Sequence, residues 1–230
     1  ARANGDSASA TQFQATADEY QRKVESWTFT TTGPLGNGHY YLRLADEGNP
    51  NAGDLLTLGN SGGVWDQREV VDAGFLELVR LGAKSPRDPA IVDSLAVVDS
   101  TISETIHGHL YWFRYNHDGY GEDTDGLDYS GSGRGRLWPL LSGERGIYAV
   151  ATGESAEPYL DALMAARNSS GFIPEQIWDQ KAPDGAQPGT PTRSMTPLNW
   201  SMAEYVVLLV SASQGRIADI PSIVQARYAA

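Results

Sequence analysis

Apolar residues that recur every three to four positions, in segment after segment, constrain this sequence more than any other feature. This spacing places them on one face of an α-helix. It predicts about seven helices, at residues 9–26, 66–81, 89–102, 136–152, 154–168, 196–213 and 217–227. The alternation of strands and helices that builds a parallel sheet is absent from the sequence. We therefore expect antiparallel helix pairs arranged around an axis, with the long loops gathered at one end.

Two of the loops between these helices are long and rich in glycine, acidic and aromatic residues. The first spans residues 116–135 and follows a short aromatic strand predicted at 110–115, and the second spans residues 171–195. Loops longer than about 12–15 residues in a compact domain usually serve a function. These two loops are therefore where we look for a functional site.

Charge and composition exclude several classes of function. The chain of 230 residues has 17 Lys and Arg against 29 Asp and Glu, a net charge of -12, so its surface does not favour nucleic acids or anionic membranes. It has no cysteine, which excludes disulfides and thiolate metal sites. No apolar run reaches the ~18–20 residues that a membrane-spanning helix needs. Six Trp and 11 Tyr are the more specific indication, because aromatic faces next to carboxylates and amides bind sugars.

The second long loop contains Glu175 within the stretch GFIPEQIWDQ at residues 171–180. A carboxylate beside aromatic surface, on a loop held between two helices, suits proton transfer with a polar, uncharged substrate. Pro174 restricts the backbone before Glu175, and Trp178 lowers the polarity around it. A solvated loop glutamate explains the same residue, so both interpretations stay open at this point.

The aromatic strand leads into a second candidate cluster, made of Arg114, Tyr115, Asp118 and Tyr120. Arg114 and Asp118 could form directional hydrogen bonds with neighbouring sugar hydroxyls while Tyr115 or Tyr120 stacks on the ring. Trp138 lies where the glycine-rich end of the first long loop enters a helix, so it is a further candidate. The alternative is an aromatic strand that simply ends in a turn.

Other charged motifs favour structural roles. Glu144 and Arg145 are expected to form an ion pair rather than to act in catalysis. Residues 123–128 resemble a calcium loop only loosely, because the third early ligand and the glutamate at position 12 are missing. His107 and His109 are weak evidence for zinc without a third ligand. We expect no metal or other cofactor, with calcium at residues 123–128 left as an alternative.

Several longer motifs resemble one enzyme family nearly from end to end of the chain. They are WTFTTTG at 27–33, HYYLR at 39–43, VDAGFLELVRLG at 71–82, RYNHDGYG at 114–121, GRLWPLLSGERG at 135–146, IPEQIWDQ at 173–180 and TPLNWS at 196–201. Together and in this order they resemble the bacterial branch of glycoside hydrolase family 15, which holds glucoamylases and glucodextranases.

The resemblance implies an all-α fold, the (α/α)6 barrel or six-hairpin toroid, and the release of β-glucose, with inversion, from the non-reducing ends of α-glucans. Glu175 matches the family's general base. Arg114, Asp118 and Tyr120 match residues of the first two sugar subsites, and Trp138 and Trp200 match aromatic wall positions. We add Tyr115 and Trp178 to the substrate-binding candidates on physical grounds.

The sequence departs from the family in one respect, since the motif that carries the general acid is not found in it. We therefore expect residues 1–230 to be the C-terminal half of a catalytic domain. The N-terminal half of the same domain, as a second chain, is the expected partner, because half a barrel exposes a large apolar face. We also expect secretion or a periplasmic location. Two alternatives stay open: a glucodextranase acting on α-1,6 links, and a sugar-binding module without turnover.

Overall fold

Helices dominate the fold, with short strands between them. A computed structural model describes residues 1–123 and 125–229 of the chain. Its α-helices are α1 Ser7–Thr28, α2 Leu76–Arg80, α3 Pro89–Ile102, α4 Pro139–Thr152, α5 Glu157–Ala165, α6 Asn199–Gln214 and α7 Ser222–Tyr228. Its strands are β1 Phe29–Thr30, β2 Tyr40–Tyr41, β3 Leu55–Leu58, β4 Gly63–Asp66, β5 Ser103–Ile106, β6 His109–Phe113 and β7 Leu137–Trp138.

The helix boundaries follow from their capping residues. The Asp6 side chain accepts a hydrogen bond from the Ser9 amide at the start of α1, and Asp88 does the same for α3. Pro89 occupies the first turn of α3, where its missing amide costs nothing. Gly153 ends α4 with a φ of 84°, a left-handed conformation that favours glycine. The predicted helix 89–102 is confirmed with the same bounds, and those beginning at residues 9, 136, 154, 196 and 217 are confirmed with shifted bounds.

The helix predicted at 66–81 is wrong for most of its length. Only Leu76–Arg80 is α-helical. Asp66 is instead the last residue of the β3–β4 hairpin, which was not predicted. The Asp66 carboxylate accepts from the Arg68 amide and so begins a short 3-10 turn at Gln67–Glu69. Val70 and Val71 are fully buried but belong to an extended segment. The apolar residues at these positions therefore matched the spacing of a helix although no helix forms there.

Helices α4 and α6 pack closely against each other. A side chain at Gly143 would place its Cβ 2.5 Å from Cγ of Glu204, and one at Gly146 would lie 2.8 Å from Cδ2 of Leu208. The two glycines therefore let the helices approach more closely than any larger residue could. Leu208 is fully buried in the main core, which also includes Ile91 and Trp112.

A three-stranded antiparallel sheet, ordered β5–β6–β7, supports both long loops. Trp112 of β6 pairs with Trp138 of β7, so the end of β6 lies beside the start of α4. An isolated bridge joins Leu137 to Ile177, and a second joins Ile177 to Pro191. The loop of residues 171–195 is thereby attached to the edge of this sheet.

Several large apolar side chains remain exposed on the helices. On α1, Phe13 is 65% exposed and Tyr20 is 59% exposed. Trp200 and Val206 of α6 are 64% and 56% exposed. No helix in the described part of the chain is both long enough and apolar enough to cross a membrane.

Candidate active site

Arg114 and Asp118 form the central pair of the candidate site. Nε of Arg114 donates to Oδ2 of Asp118 at 2.8 Å, and Nη2 donates to Oδ1 at 2.9 Å, which makes the contact bidentate. The Asp118 side chain is 1% exposed and that of Arg114 is 32% exposed. The buried carboxylate therefore fixes the guanidinium, whose accessible N–H groups can donate to a ligand.

Three aromatic rings surround the Arg114 guanidinium. Its Cζ lies 5.0 Å from the ring centre of Tyr115, 4.9 Å from that of Tyr120 and 5.5 Å from that of Trp138. The Tyr120 and Trp138 rings are 6.2 Å apart. The structure thus brings together five of the predicted substrate-binding residues. A cation held among aromatic faces, with free donors, suits a neutral polyhydroxylated ligand.

Local structure explains how these residues meet. Strand β6 ends at Phe113, so Arg114 and Tyr115 follow directly from its end. The amide of Gly135 donates to the carbonyl of Asp118 at 2.7 Å, which closes the first long loop and returns the chain to Trp138 on β7. The loop therefore begins and ends beside the same sheet.

Glu175 lies next to this cluster. The residue is 9% exposed, and its neighbour Gln176 donates from Nε2 to Oε1 of the Glu175 carboxylate at 3.3 Å. Burial, followed by a hydrogen bond with the Glu175 carboxylate, raises the pKa of Tyr120. Tyr120 therefore touches both the arginine and the glutamate, and it links the sugar-binding candidates to the candidate base.

The start of α6 and the returning loop hold Glu175 in place. The Glu175 amide donates to the carbonyl of Met195 at 2.9 Å, and Oγ of Ser201 donates to the carbonyl of Pro174 at 3.1 Å. The carboxylate is therefore carried by a fixed backbone rather than by a free loop. This is the arrangement that proton transfer needs.

Two predicted substrate-binding residues make no described contact with the Arg114 cluster. Trp178 is 5% exposed and packs against the guanidinium of Arg136 at 4.9 Å, where it lines a separate cleft of about 510 Å³. Trp200 is 64% exposed at the start of α6. No contact in the described part of the chain joins either ring to Arg114, so their roles in substrate binding stay predictions.

The expected ion pair between Glu144 and Arg145 is absent from the described contacts. Arg145 pairs with Asp99 at 3.3 Å, because neighbouring residues of a helix point in different directions. Burial, and then the negative charges of Glu204 and Glu77, raise the pKa of Glu144 to about 8. Glu144 thus belongs to an acidic group that the sequence did not reveal.

The metal alternatives find little support in the structure. Within residues 1–123 and 125–229, no three His, Asp or Glu side chains could hold a metal ion together. Thr124, in the calcium-like segment, lies outside the described residues, and Oδ1 of Asp125 accepts from the Leu127 amide as in an ordinary turn. His107 and Gly108 have positive φ values of 50° and 85° and form the tight turn between β5 and β6.

Comparison with known proteins assigns the chain to a family. The family model for glycosyl hydrolases family 15 matches residues 1–210. The chain belongs to this family. The family resemblance of its sequence motifs is thereby confirmed.

Two family 15 relatives are similar over the whole chain. A glucoamylase from Clostridium sp. (strain G0005) is 49% identical over 230 residues, which cover 100% of this chain and 32% of that protein. The crystal structure of a bacterial glucoamylase complexed with acarbose matches with a TM-score of 0.95 and 48% identity, covering 100% of this chain and 33% of that one. The chain therefore spans about a third of the length of each relative. The predicted (α/α)6 barrel is the fold of the glucoamylase that it matches.

Proposed function

We propose that this family 15 chain forms part of an inverting, exo-acting α-glucosidase that releases β-D-glucose from the non-reducing ends of α-glucans. The observation that carries the proposal is the place of the buried Glu175, on a loop that Ile177 joins to Leu137 of β7, next to Trp138 and the Arg114–Asp118 pair that Trp138 contacts. A terminal glucose held by Arg114 and the aromatic rings would present its anomeric carbon near this carboxylate. The relatives named as glucoamylases support α-1,4 links as the substrate.

In this proposal Glu175 is the general base. Its carboxylate takes a proton from a water molecule, and the water oxygen attacks the anomeric carbon on the face opposite the leaving group. An inverting glycosidase needs a second carboxyl group about 6.5–9.5 Å away, which protonates the leaving oxygen. We assign this general acid to a part of the catalytic domain outside residues 1–230.

We further propose that the chain is the C-terminal half of the barrel and that the N-terminal half binds to it as a second polypeptide. The exposure of apolar side chains such as Phe13 and Trp200 supports this. Exposed apolar patches usually mark contact surfaces. A secreted or periplasmic enzyme acting on external glucans remains part of the proposal.

The test replaces Glu175 by glutamine in the native enzyme that contains this chain. Glutamine keeps the shape but cannot accept the proton, so kcat on maltotriose should fall by at least ~100-fold. The wild type should first release the β-anomer, as measured by proton NMR. Glu154→Gln, which changes an exposed glutamate outside the loop, should leave kcat unchanged.

Four results would contradict parts of the proposal. Full activity of Glu175→Gln would exclude Glu175 as the base. Early release of the α-anomer would exclude inversion. Faster hydrolysis of isomaltotriose than of maltotriose would identify a glucodextranase, whereas binding of both without hydrolysis would identify a sugar-binding module.

A further inference from the structure

The cleft of about 510 Å³ beside Trp178 lies between the two long loops. One wall comes from Asp125 and Gly126 of the first loop, and the other comes from residues 183–187 and 190–193 of the second loop. Its volume falls within the range of about 300–1,000 Å³ that small-molecule sites usually have. The cleft is therefore large enough for a short oligosaccharide.

Arg136 fixes the two walls of the cleft relative to each other and is fully buried. Its Nη1 donates to Oδ1 of Asp179 in the second loop at 2.8 Å. Its Nη2 donates to the carbonyls of Glu122 and Asp123 in the first loop, both at 3.0 Å. One side chain thus joins the first long loop to the second.

Hydrogen bonds within the second loop give its wall a fixed shape. The Trp178 amide donates to the Thr190 carbonyl at 2.9 Å, and the Gly189 amide donates to the Trp178 carbonyl at 2.8 Å. Oγ1 of Thr190 donates to the carbonyl of Gln187 at 2.7 Å. The wall is thus formed before a ligand arrives, which lowers the entropic cost of binding.

The polar groups of the cleft suit a neutral ligand with many hydroxyls. Asp184 and Gln187 are exposed there, and no described hydrogen bond engages either side chain. Arg193 binds Asp128 at 3.2 Å, but its side chain is 57% exposed and keeps further N–H groups for a ligand. The carboxylates of Asp125 and Asp184 disfavour an anion, and the guanidinium disfavours a cation. Hydrogen bonds to hydroxyl groups therefore match this lining best.

Trp178 gives the cleft an apolar surface as well. The Arg136 guanidinium lies 4.9 Å from the Trp178 ring centre and covers one side of the ring. The accessible part of the ring borders the cleft together with Pro183 and Pro191. Because sugar rings combine hydroxyl groups with apolar C–H faces, a carbohydrate matches both kinds of surface.

We propose that this cleft is a second binding site for α-glucan, in addition to the site that holds the chain end. Hydroxyl groups of a glucan segment donate to the carboxylates of Asp125 and Asp184 and accept from Arg193. The site keeps a polymeric substrate on the enzyme between successive cleavages, whereas a disaccharide reacts without it. The choice of ligand rests on the proposed function, since α-glucan is the polymer on which the proposed enzyme acts.

The first test measures the binding of β-cyclodextrin to the native enzyme by calorimetry. This ring of α-1,4-linked glucose has no non-reducing end, so it cannot place a terminal glucose at the Arg114 cluster. The double variant Asp184→Ala/Gln187→Ala removes two exposed side chains of the cleft and should weaken binding roughly 10-fold. The matched control Asp161→Ala/Gln214→Ala changes exposed residues outside the cleft and should keep the wild-type affinity.

Hydrolysis of short and long substrates gives a second readout. Two sites that bind one chain raise the effective concentration of its end at the catalytic site. In the cleft variant, kcat/KM on soluble amylose should therefore fall roughly 3- to 10-fold while kcat/KM on maltose stays unchanged. A general disturbance of the fold would lower both values.

The outcomes keep the two proposals apart. Weaker β-cyclodextrin binding together with a selective loss on amylose supports the second site. Equal β-cyclodextrin affinity of the cleft variant and its control, no binding to the wild type, or an equal loss on maltose and amylose overturns it. Full activity of Glu175→Gln would overturn the general base, and the β-cyclodextrin measurement would still decide the cleft, since that binding does not need the Glu175 carboxylate.

Discussion

At the scale of single residues, burial changes the pKa of glutamate side chains near Arg80. Glu204 is 3% exposed and binds Arg80 at 3.0 Å through one carboxylate oxygen, while its Oε1 has no hydrogen-bond partner within the described residues. Arg80 also binds Asp219 at 2.8 Å. Glu144 and Glu77 lie near the same guanidinium. One arginine thus faces four carboxyl groups, and burial raises the pKa of two of them, Glu144 and Glu204.

This acidic group predicts a pH-dependent stability. The pKa of Glu144 is raised to about 8 from its ordinary value of 4.5, so the folded protein binds more protons than the unfolded chain between these values. The stabilisation by the neutral carboxyl is complete below pH 4.5 and is lost as the pH rises towards 8. Glu144→Gln should therefore stabilise the native protein by about 1–2 kcal/mol at pH 8 and have little effect at pH 4.

Urea unfolding of both proteins at several pH values measures this effect. Glu157→Gln, which changes an exposed glutamate at the start of α5, is the control and should leave the curve unchanged. An equal effect of Glu144→Gln at pH 4 and pH 8 would contradict the interpretation.

The sequence predicted the residues of the candidate site better than the buried residues that hold the site in place. Arg114, Tyr115, Asp118 and Tyr120 are close in the sequence, so their meeting needed only one strand end and one turn. Arg136 lies 43 residues from Asp179 in the sequence and 2.8 Å from it in space. Such a pair has no local signal, because burial and partner choice are set by the packing of distant segments.

At the scale of helices and strands, glycine decides how closely α4 and α6 pack. Gly143 faces Glu204, and Gly146 faces both Leu208 and Tyr159, whose Cβ would lie 2.8 Å from an added Cβ. Both glycines lie inside a helix, where glycine is otherwise unfavourable by roughly 0.5–1 kcal/mol relative to alanine. Close packing therefore offsets the poor helix propensity of these two positions.

Substitution of Gly146 tests this packing. Gly146→Ala should destabilise the native protein by about 1–3 kcal/mol, because its methyl group would overlap Leu208 and Tyr159. Gly59→Ala is the control, since an added Cβ there meets nothing within 4 Å and its φ is not positive. Thermal unfolding measures both, and a Gly146→Ala variant as stable as the wild type would contradict the close approach.

Helix periodicity predicted most of the helices but not the segment before α2. Val70 and Val71 are both buried although they are adjacent, since an extended segment can be covered on two sides. The sequence pattern cannot separate such a segment from a buried helix turn. The β3–β4 hairpin was missed for a related reason, because Leu55 and Val64 are exposed and the segment lacks an alternating pattern.

At the scale of the whole molecule, α6 presents an apolar stripe on its exposed side. Val206, Leu209 and Val210 follow helical spacing and are 56%, 47% and 36% exposed. A helix that is apolar on opposite sides is normally buried between two partners. Helix α4 covers one side of α6, and the proposed N-terminal half of the domain would cover the other.

The isolated chain should therefore self-associate, which light scattering after size exclusion measures. Leu209→Gln should reduce this association, because it places a polar group in the apolar stripe. Val92→Gln, which changes a residue of α3 with a similar exposure of 48%, should have little effect. A stable, soluble monomer of residues 1–230 would contradict the proposed second chain.

The link that Arg136 makes between the two long loops also matters for protein engineering. When segments are exchanged between related enzymes to alter substrate preference, each loop is usually treated as an independent cassette. Here a chimera that receives residues 171–195 from a donor sequence without an acid at position 179 would leave the fully buried guanidinium of Arg136 without its counter-ion. A buried charge without its counter-ion costs several kcal/mol. Because Arg136 bonds to both loops, we expect them to be exchanged together, with β7 between them, if folding is to be kept.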